Sequence, residues 1–212
     1  KIAVGKNIKE GVIDLDFDIT KNLKNLADFK NTTPDKLTIC LLERERHDHI
    51  VKDAKKLGTK IKFISDGDVA GAIYAGIEEF NVDIYLGIGG APEGVLAAAA
   101  IKCLGGQFQA RLVLSNDHEI DKAKKMGIKD LKKKYFINDI VKDDVLFCAT
   151  GVTGGDLLEG IKILDNGFYQ SETYVLHHAS KLNKKIINKF KIWSTSPSLV
   201  KSGFYPITTK TY

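Results

Sequence analysis

Residues 37–64, LTICLLERERHDHIVKDAKKLGTKIKFI, contain an apolar run, a polar helical stretch and a second strand-like run in succession. The continuous apolar run 37–42 is typical of a strand buried on both faces. Residues 46–57 have helical spacing and end at Gly58, a residue type that commonly stops a helix. Residues 60–64 predict the second strand. This order predicts a βαβ unit, from which parallel sheets covered by helices are built.

Further strands and helices alternate downstream of this unit. Strands are predicted at 82–86, 107–114 and 145–149, and helices at 69–79, 93–104 and 118–126. Strands that alternate with helices of this length predict a mostly parallel sheet over roughly residues 37–150, with flanking helices. The predicted fold class is therefore α/β.

The two ends of the chain have different patterns. Residues 12–18 (VIDLDFD) alternate apolar and acidic side chains, which predicts a half-buried strand, and residues 20–30 have helical spacing. Residues 169–179 and 185–193 are extended runs joined by a short polar turn, which predicts a C-terminal antiparallel hairpin. We expect an irregular tail over 195–212, where no period is visible.

Composition and charge exclude several classes of protein. Of the 212 residues, 43% are hydrophobic and 28% charged, which excludes a collagen-like, coiled-coil or largely disordered chain. The formal net charge of +5 comes mainly from scattered lysines without interleaved aromatic residues. We therefore expect a solvated lysine face and no nucleic-acid partner.

The cysteines and the hydropathy pattern indicate the compartment. Cys40, Cys103 and Cys148 lie in apolar runs without CxxC spacing, which is typical of reduced core cysteines. No stretch approaches the ~18 uninterrupted apolar residues of a membrane span, and no secretory signal pattern is present. We expect a cytoplasmic protein with no membrane partner.

Four polar or glycine-rich loops directly follow predicted strands, at 43–47, 66–68, 87–94 and 150–156. In open α/β sheets, ligands bind beyond the carboxyl ends of the strands, so we expect all four loops at one edge of the sheet. Glycines before a helix expose backbone N–H groups to a phosphate. Strand-to-helix turns also need glycine for backbone reasons, so this pattern alone leaves both interpretations open.

Several other kinds of site find no support. The run GIGG at 87–90 lacks the GxGxxG spacing of a dinucleotide fold and the GK[ST] of a P-loop, which disfavours nucleotide binding. His47 and His49 have no third ligand at a short spacing, so we expect no zinc site. A covalent acyl mechanism lacks both a GxSxG elbow and a cysteine with a histidine partner.

Charged residues in three of these loops are candidate ligand-binding groups. Arg44 and Arg46 lie two residues apart, and guanidinium groups hold phosphate oxygens bidentately; the alternative is a surface ion pair with the neighbouring glutamates. Asp66 and Asp68 are suited to sugar hydroxyls or a metal, or to an Asx-type turn with a helix N-cap. Glu93, in a first helical turn, is either a metal ligand or a carboxylate favoured by the helix dipole.

The runs 64–70 (ISDGDVA), 85–95 (YLGIGGAPEGV) and 149–160 (ATGVTGGDLLEG) resemble class II fructose-1,6-bisphosphatase, whose type in photosynthetic bacteria also takes sedoheptulose 1,7-bisphosphate. Segment 44–48 (RERHD) is similar to that family's basic strand end. The resemblance covers residues 1 to about 193. It implies a layered sugar-phosphatase-like architecture and metal-dependent hydrolysis of the 1-phosphate of fructose 1,6-bisphosphate, in gluconeogenesis and glycerol metabolism.

The resemblance also implies which residues form the site. The substrate-binding residues carried over by position are Arg44, Glu45, Arg46, Asp66, Gly67, Asp68 and Gly90. Glu93 corresponds to a ligand of a divalent metal, Mn²⁺ or Mg²⁺. The expected partners are a small sugar bisphosphate and further copies of the chain in a homo-oligomer, either a dimer or a tetramer.

The family enzyme has an N-terminal region that carries most of its metal carboxylates, and no similar motif occurs here. We therefore expect this chain to correspond to the C-terminal two-thirds, with its catalytic residues upstream of Lys1 and no activity alone. Residues 1–35 are expected to end that N-terminal region, and 36–194 to form an α/β substrate-binding domain with the hairpin.

Three other functions are considered beside this one. The first is a phosphosugar-binding or regulatory module without chemistry of its own. The second is a phosphatase of the inositol monophosphatase type, against which the Ala-Pro-Glu-Gly run at 91–94 argues. The third is a nucleic-acid-binding protein, which only the net charge favours.

Overall fold

The structure is a computed structural model and describes residues 1–191. The chain divides into two compact units: Lys1–Phe147 with His177–Lys181, and Cys148–Leu176 with Leu182–Tyr212. The description of the second unit stops at Lys191. Every helix within residues 1–191 is too short or too polar to cross a membrane.

Strands and helices follow one another along the described chain. The strands are β1 (Ile2–Val4), β2 (Thr38–Leu42), β3 (Lys60–Ile64), β4 (Ile84–Leu86), β5 (Gln107–Ala110), β6 (Tyr135–Phe136), β7 (Leu146–Thr150), β8 (Lys162–Ile163), β9 (Phe168–His177) and β10 (Leu182–Lys191). The α-helices are α1 (Ile19–Phe29), α2 (Asp48–Lys56), α3 (Asp68–Gly76), α4 (Ala91–Leu104), α5 (Asp117–Lys125) and α6 (Ile137–Ile140). Short 3₁₀ helices lie at Pro34–Lys36, Glu45–His47, Glu78–Phe80 and Asp165–Gly167.

The sheet of the first unit has the strand order β3-β2-β4-β1-β5-β6. β2 pairs in parallel with β3 on one side and with β4 on the other. β1 runs antiparallel between β4 and β5, and β6 is antiparallel to β5. The prediction of an α/β fold with flanking helices is confirmed, and β3-β2-β4 forms its parallel core.

Helices cover both faces of this sheet. Successive side chains of a strand point to opposite faces, so each strand can pack against both layers of helices. Ile39 and Leu41 of β2 belong to the same buried cluster as Leu23 and Leu26 of α1 and Ala54 of α2. α3 contacts β1, β2 and β4 and packs along α4. The parallel strands are thus packed between two layers of helices, and the loops at their carboxyl ends start from buried strands.

The prediction of a strand over 12–18 is wrong. This segment is a series of turns: the Asp14 N–H donates to Asn22 Oδ1 (2.8 Å), and the Asp16 N–H donates to Asp14 Oδ1 (2.8 Å). Asp18 then caps the start of α1. Short acidic side chains compete with a neighbouring strand for backbone N–H groups, so the alternating pattern here reflects turn chemistry.

The second unit contributes most of a smaller sheet, ordered β10-β9-β7, with β8 antiparallel to β9. β9 and β10 are neighbouring strands joined by a short turn, as the predicted hairpin requires. The strand predicted at 145–149 occurs as β7 (Leu146–Thr150) but belongs to this sheet, so the expectation that the parallel sheet reaches residue 150 is wrong. A short apolar run does not reveal which strands will flank it. The tail predicted over 195–212 and the end of the second hairpin strand lie outside the described residues.

Candidate functional site

Three of the four predicted loops meet at the carboxyl edge of the parallel core. β3, β2 and β4 are neighbours and run in the same direction, so the segments that follow them lie side by side. Hydrogen bonds between side chains and backbone join these segments: Arg44 Nη2 donates to Ser65 O (2.7 Å), and Arg46 Nε donates to Ile88 O (3.0 Å). The structure therefore brings the predicted arginine, aspartate and glycine loops together.

The two arginines bind backbone carbonyls rather than carboxylates. Arg44 also donates from Nη1 to Glu43 O (2.7 Å). Within residues 1–191 neither guanidinium group forms an ion pair with Glu43 or Glu45, which counts against the alternative of a surface salt bridge. Glu45 is exposed and begins a 3₁₀ turn. Arg46 uses only Nε in its contact, so its terminal nitrogens face no acceptor in the described part of the chain.

His47 joins the first loop to the third and was not recognised from the sequence. Its side chain is completely buried, its Nδ1 lies 2.8 Å from Leu42 O, and its Nε2 accepts the Ile88 N–H at 2.9 Å. Because Nε2 accepts, Nδ1 carries the proton and donates to Leu42. Burial lowers the pKa of His47, with a smaller contribution from the Arg46 cation, although the bond to Leu42 opposes this. His47 is therefore neutral, and its ring links the backbone of Leu42 to that of Ile88.

The aspartate loop turns sharply into α3. Gly67 has φ +84°, a left-handed conformation that favours glycine, and it occupies the N-cap position. The exposed Asp66 accepts the Gly67 N–H through Oδ1 (2.8 Å). Asp68 lies inside the first turn and is buried, so the alternative of an N-capping aspartate does not hold at this position.

A buried ion pair anchors Asp68. The ammonium group of Lys1 contacts Asp68 Oδ2, and the two side chains are only 5% and 2% exposed. The other carboxylate oxygen, Oδ1, is buried without a hydrogen-bond partner among residues 1–191. Sequence reasoning missed Lys1, because its role depends on β1 lying beside β4, which no local pattern indicates.

The glycine loop passes closely over Asp68 and leads into α4. A Cβ atom at Gly89 would lie 2.3 Å from Asp68 Oδ2, so a side chain there is incompatible with this arrangement. The Gly90 N–H donates to Glu93 Oε2 (3.0 Å), and both residues are exposed. The amino ends of α3 and α4 thus both lie at this edge, and the positive end of a helix dipole favours an anion.

Glu93 supplies a hard carboxylate oxygen, which suits Mg²⁺ or Mn²⁺ in kind. It also accepts the Gly90 N–H in the first turn of its helix. Glu93 therefore also fits the alternative interpretation, a carboxylate favoured by the helix dipole. No group of three His, Cys, Asp or Glu side chains that could hold a metal occurs within residues 1–191. The described residues therefore do not form a complete metal site.

The fourth predicted loop, 150–156, follows β7 and not a strand of the parallel core. The expectation that all four loops share one edge of one sheet is therefore wrong for this loop. Hydrogen bonds within the second unit hold this loop. The Gly151 N–H donates to Glu172 O (3.0 Å), and Thr150 Oγ1 lies 2.9 Å from Thr173 Oγ1.

A cavity of about 720 Å³ lies at the opposite, amino edge of the parallel strands. Its lining includes Thr38 and Lys60, the first residues of β2 and β3, together with Lys30 and Asp83. The Asp83 carboxylate already forms an ion pair with Lys30 and accepts the Thr38 N–H (2.7 Å). We place the candidate site at the carboxyl edge, where the arginines and the helix amino ends converge.

The chain is similar to known proteins. Residues 1–190 match the family described as bacterial fructose-1,6-bisphosphatase, glpX-encoded. A class 2 fructose-1,6-bisphosphatase of Haemophilus influenzae is 39% identical over 200 residues, which cover 88% of this chain and 59% of that protein.

Two relatives are named D-fructose 1,6-bisphosphatase class 2/sedoheptulose 1,7-bisphosphatase. That of Crocosphaera subtropica is 34% identical over 81% of this chain and 53% of its own length, and that of Synechococcus elongatus is 35% identical over 74% and 50%. This chain thus spans between half and three fifths of the length of these relatives. The match over residues 1–190 shows that the chain belongs to the bacterial, glpX-encoded fructose-1,6-bisphosphatase family.

Proposed function

We propose that this chain supplies the sugar-phosphate-binding part of a fructose-1,6-bisphosphatase, a phosphoric monoester hydrolase of gluconeogenesis. The observation that carries the proposal is the meeting of three loops at one sheet edge, with Arg44, Arg46 and the buried Asp68 among them. A sugar bisphosphate needs cations for its phosphates and polar groups for its hydroxyls, and this edge offers both.

Each predicted site residue has a role in this proposal. Arg44 and Arg46 hold one phosphate, and Gly90, at the amino end of α4, borders a phosphate or sugar oxygen. Asp66 and Asp68 accept hydrogen bonds from sugar hydroxyls, and Gly67 permits the turn that places them. Glu45, exposed between the arginines, borders the same ligand. Fixing the distal phosphate positions the reacting one, which is the chain's own contribution to catalysis.

A divalent metal, Mn²⁺ or Mg²⁺, would neutralise phosphate charge and make a bound water more acidic. Glu93 is the residue we assign to it, acting with carboxylates outside the described residues. The rival proposal is a phosphosugar-binding module without chemistry of its own. We also propose that the protein acts in the cytoplasm as a dimer or tetramer.

Phosphate release by the full-length protein tests the proposal. We expect metal-dependent release from fructose 1,6-bisphosphate, with inositol monophosphate a poor substrate, and the assay extends directly to sedoheptulose 1,7-bisphosphate. Calorimetric binding of fructose 1,6-bisphosphate without turnover would select the non-catalytic module. A preference for inositol monophosphate would place the activity with the related phosphatase type.

A further inference from the structure

The cavity of about 720 Å³ at the amino edge of the parallel strands has no part in the proposed function. Its volume lies within the range of small-molecule sites, roughly 300–1,000 Å³. The segments that line it all belong to the first unit. They are the turn after β1, the ends of α1 and α3, the starts of β2 and β3, and the turn before β4. The cavity is therefore a second candidate site, at the other end of the strands that lead to the first.

The charged side chains of the cavity favour an anion. Four lysines and two carboxylates line it, namely Lys6, Lys30, Lys36, Lys60, Glu78 and Asp83. α1 and α3 also end in its wall, at Phe29 and Gly76. The carboxyl end of a helix is equivalent to about half a negative charge, so the two helix ends offset about one of the two excess positive charges. The cavity keeps a net positive charge after this correction.

One of the lysines has no counter-charge. Lys30 forms an ion pair with Asp83, whose other oxygen accepts the Thr38 N–H (2.7 Å). Lys6 Nζ lies 3.8 Å from Glu78 Oε1, and both side chains are mostly exposed, so this pair contributes little. Lys60 forms no ion pair or side-chain hydrogen bond within residues 1–191. Its ammonium group is therefore the cation most open to a ligand.

Thr38 lies beside Lys60 and adds a second donor. The two residues are partners in the register of the parallel strands β2 and β3, so their side chains leave the same face of the sheet. The Thr38 hydroxyl, like the Lys60 ammonium group, has no hydrogen-bond partner in the described part of the chain. An ammonium group and a hydroxyl group side by side suit a phosphate group, which offers three strongly accepting oxygens.

The size and the apolar part of the lining indicate more than a free phosphate ion. Ile8, Phe29 and Val82 line the cavity together with the charged groups. A phosphate ion alone would leave most of the volume to water, whereas an attached carbon body would cover these apolar side chains. The lining therefore fits an anion with an organic part.

We propose that this cavity binds a small organic phosphate monoester, whose phosphate accepts hydrogen bonds from the Lys60 ammonium group and the Thr38 hydroxyl. The carbon body of the ligand packs against the apolar part of the lining. This site is separate from the one at the carboxyl edge, and the proposal does not depend on the proposed function.

Calorimetric titration of the full-length protein in metal-free buffer tests the proposal, with phenyl phosphate, inorganic phosphate and phenol as probes. We expect saturable binding of phenyl phosphate, binding of inorganic phosphate that is at least about fivefold weaker, and no binding of phenol. Lys60→Met should raise the Kd for phenyl phosphate about tenfold, and Thr38→Val, which removes only the hydroxyl, about three- to tenfold.

Two variants serve as controls. Lys24 is exposed in α1 and does not line the cavity, so Lys24→Met removes one positive charge elsewhere on the surface. Arg46→Ala removes a cation from the carboxyl edge. Both should leave the Kd of phenyl phosphate at this site within about twofold of the wild-type value.

Four results would overturn the proposal. Binding that Arg46→Ala abolishes and Lys60→Met leaves unchanged would place the phosphate at the carboxyl edge. Equal affinity for phenyl phosphate and inorganic phosphate would exclude an organic ligand. Absence of binding by the wild type, with a lower melting temperature for Lys60→Met, would show that the lysines only stabilise the helix ends, and absence of binding with no change in melting temperature would leave the cavity without a ligand. Hydrolysis of fructose 1,6-bisphosphate would be unaffected by each of these results, so the proposed function stands or fails separately.

Discussion

The buried ammonium group of Lys1 is ion-paired with the carboxylate of Asp68, which lies 67 positions later at the start of α3. The pair connects β1 to the loop after β3. Removing one partner of a buried pair leaves the other charge without compensation.

Breaking this ion pair should therefore destabilise the fold strongly. We expect Lys1→Met, and separately Asp68→Asn, to lower the free energy of unfolding of the full-length protein by about 3–5 kcal/mol. The double variant should lose clearly less than the sum of the single losses, because neither charge then remains buried alone. Urea titrations of the three variants measure this, and additive losses would show that the two side chains do not interact.

The arginines should affect substrate affinity. Arg44→Ala and Arg46→Ala each remove a charge-assisted contact of about 1.5–3 kcal/mol, so the KM for the bisphosphate should rise by one to two orders of magnitude. Arg111→Ala is the matched control, because Arg111 pairs with Asp16 (2.6 Å) and lies outside the three loops. Steady-state kinetics with all three variants decide the matter, and a KM within twofold for both loop variants would remove the arginines from the site.

A side chain at Gly89 should destabilise the protein. Gly89→Ala places a Cβ atom 2.3 Å from Asp68 Oδ2, and overpacking of this kind costs about 1–3 kcal/mol. We expect lower stability together with weaker binding of the bisphosphate. Gly94→Ala is the comparison, because nothing lies within 4 Å of that Cβ position in α4, and it should stabilise by about 0.5–1 kcal/mol. Thermal melts that rank the two variants in the opposite order would contradict the close approach.

Glu93 should be needed for turnover and not for folding. Glu93→Gln keeps an oxygen that can accept the Gly90 N–H, so the melting temperature should change little. Metal-dependent phosphate release should fall by more than tenfold, because a neutral amide is a poor ligand for a hard cation. A higher concentration of Mn²⁺ should restore part of the phosphate release if the substitution weakens metal binding.

Glu119→Gln is the control for this prediction. Glu119 lies in the first turn of α5 and also accepts a backbone N–H at the start of its helix, that of Ser115 (2.7 Å), but it belongs to none of the three loops. Equal loss of turnover in both variants would show that helix capping, and not metal binding, is responsible. The isolated 212-residue chain should release no phosphate, and robust turnover by it would require a metal site other than the one proposed.

The contribution of His47 to the stability of the fold should depend on pH. Burial lowers its pKa in the folded protein below the ordinary value of 6.5, so the unfolded chain takes up the proton more readily. The contribution of neutral His47 is fully present above pH 6.5 and declines as the pH falls toward the lower pKa of the folded state. His47→Phe should show a flatter dependence of the unfolding free energy on pH over that interval. Parallel curves for the two proteins would mean that His47 does not titrate differently on folding.

Local pattern predicted the parallel core and the loops that meet at its carboxyl edge. The run KIKFI at 60–64 matches β3 residue for residue, and the residue types after β2, β3 and β4 indicated phosphate and sugar ligands. The pairing of distant strands could not be predicted, because the spacing of hydrophobic residues along the sequence does not show which strands become neighbours in the sheet. The central place of β1, and with it Lys1, depends on such pairing. His47 was missed for a similar reason, since its second partner, Ile88, lies 41 positions away.

The position of β1 also constrains the order of events in folding. Ile2 pairs with Leu86 on one side and with Gln109 on the other, so β1 is the hydrogen-bonded link between β3-β2-β4 and β5-β6. During synthesis this strand emerges before either of its neighbours and remains unpaired until more than 80 further residues have followed. Such non-local closure is slow and exposes strand edges to wrong partners. Because Lys1 directly precedes β1, we expect its ion pair with Asp68 to form only after β4 has been synthesised and β1 lies beside it.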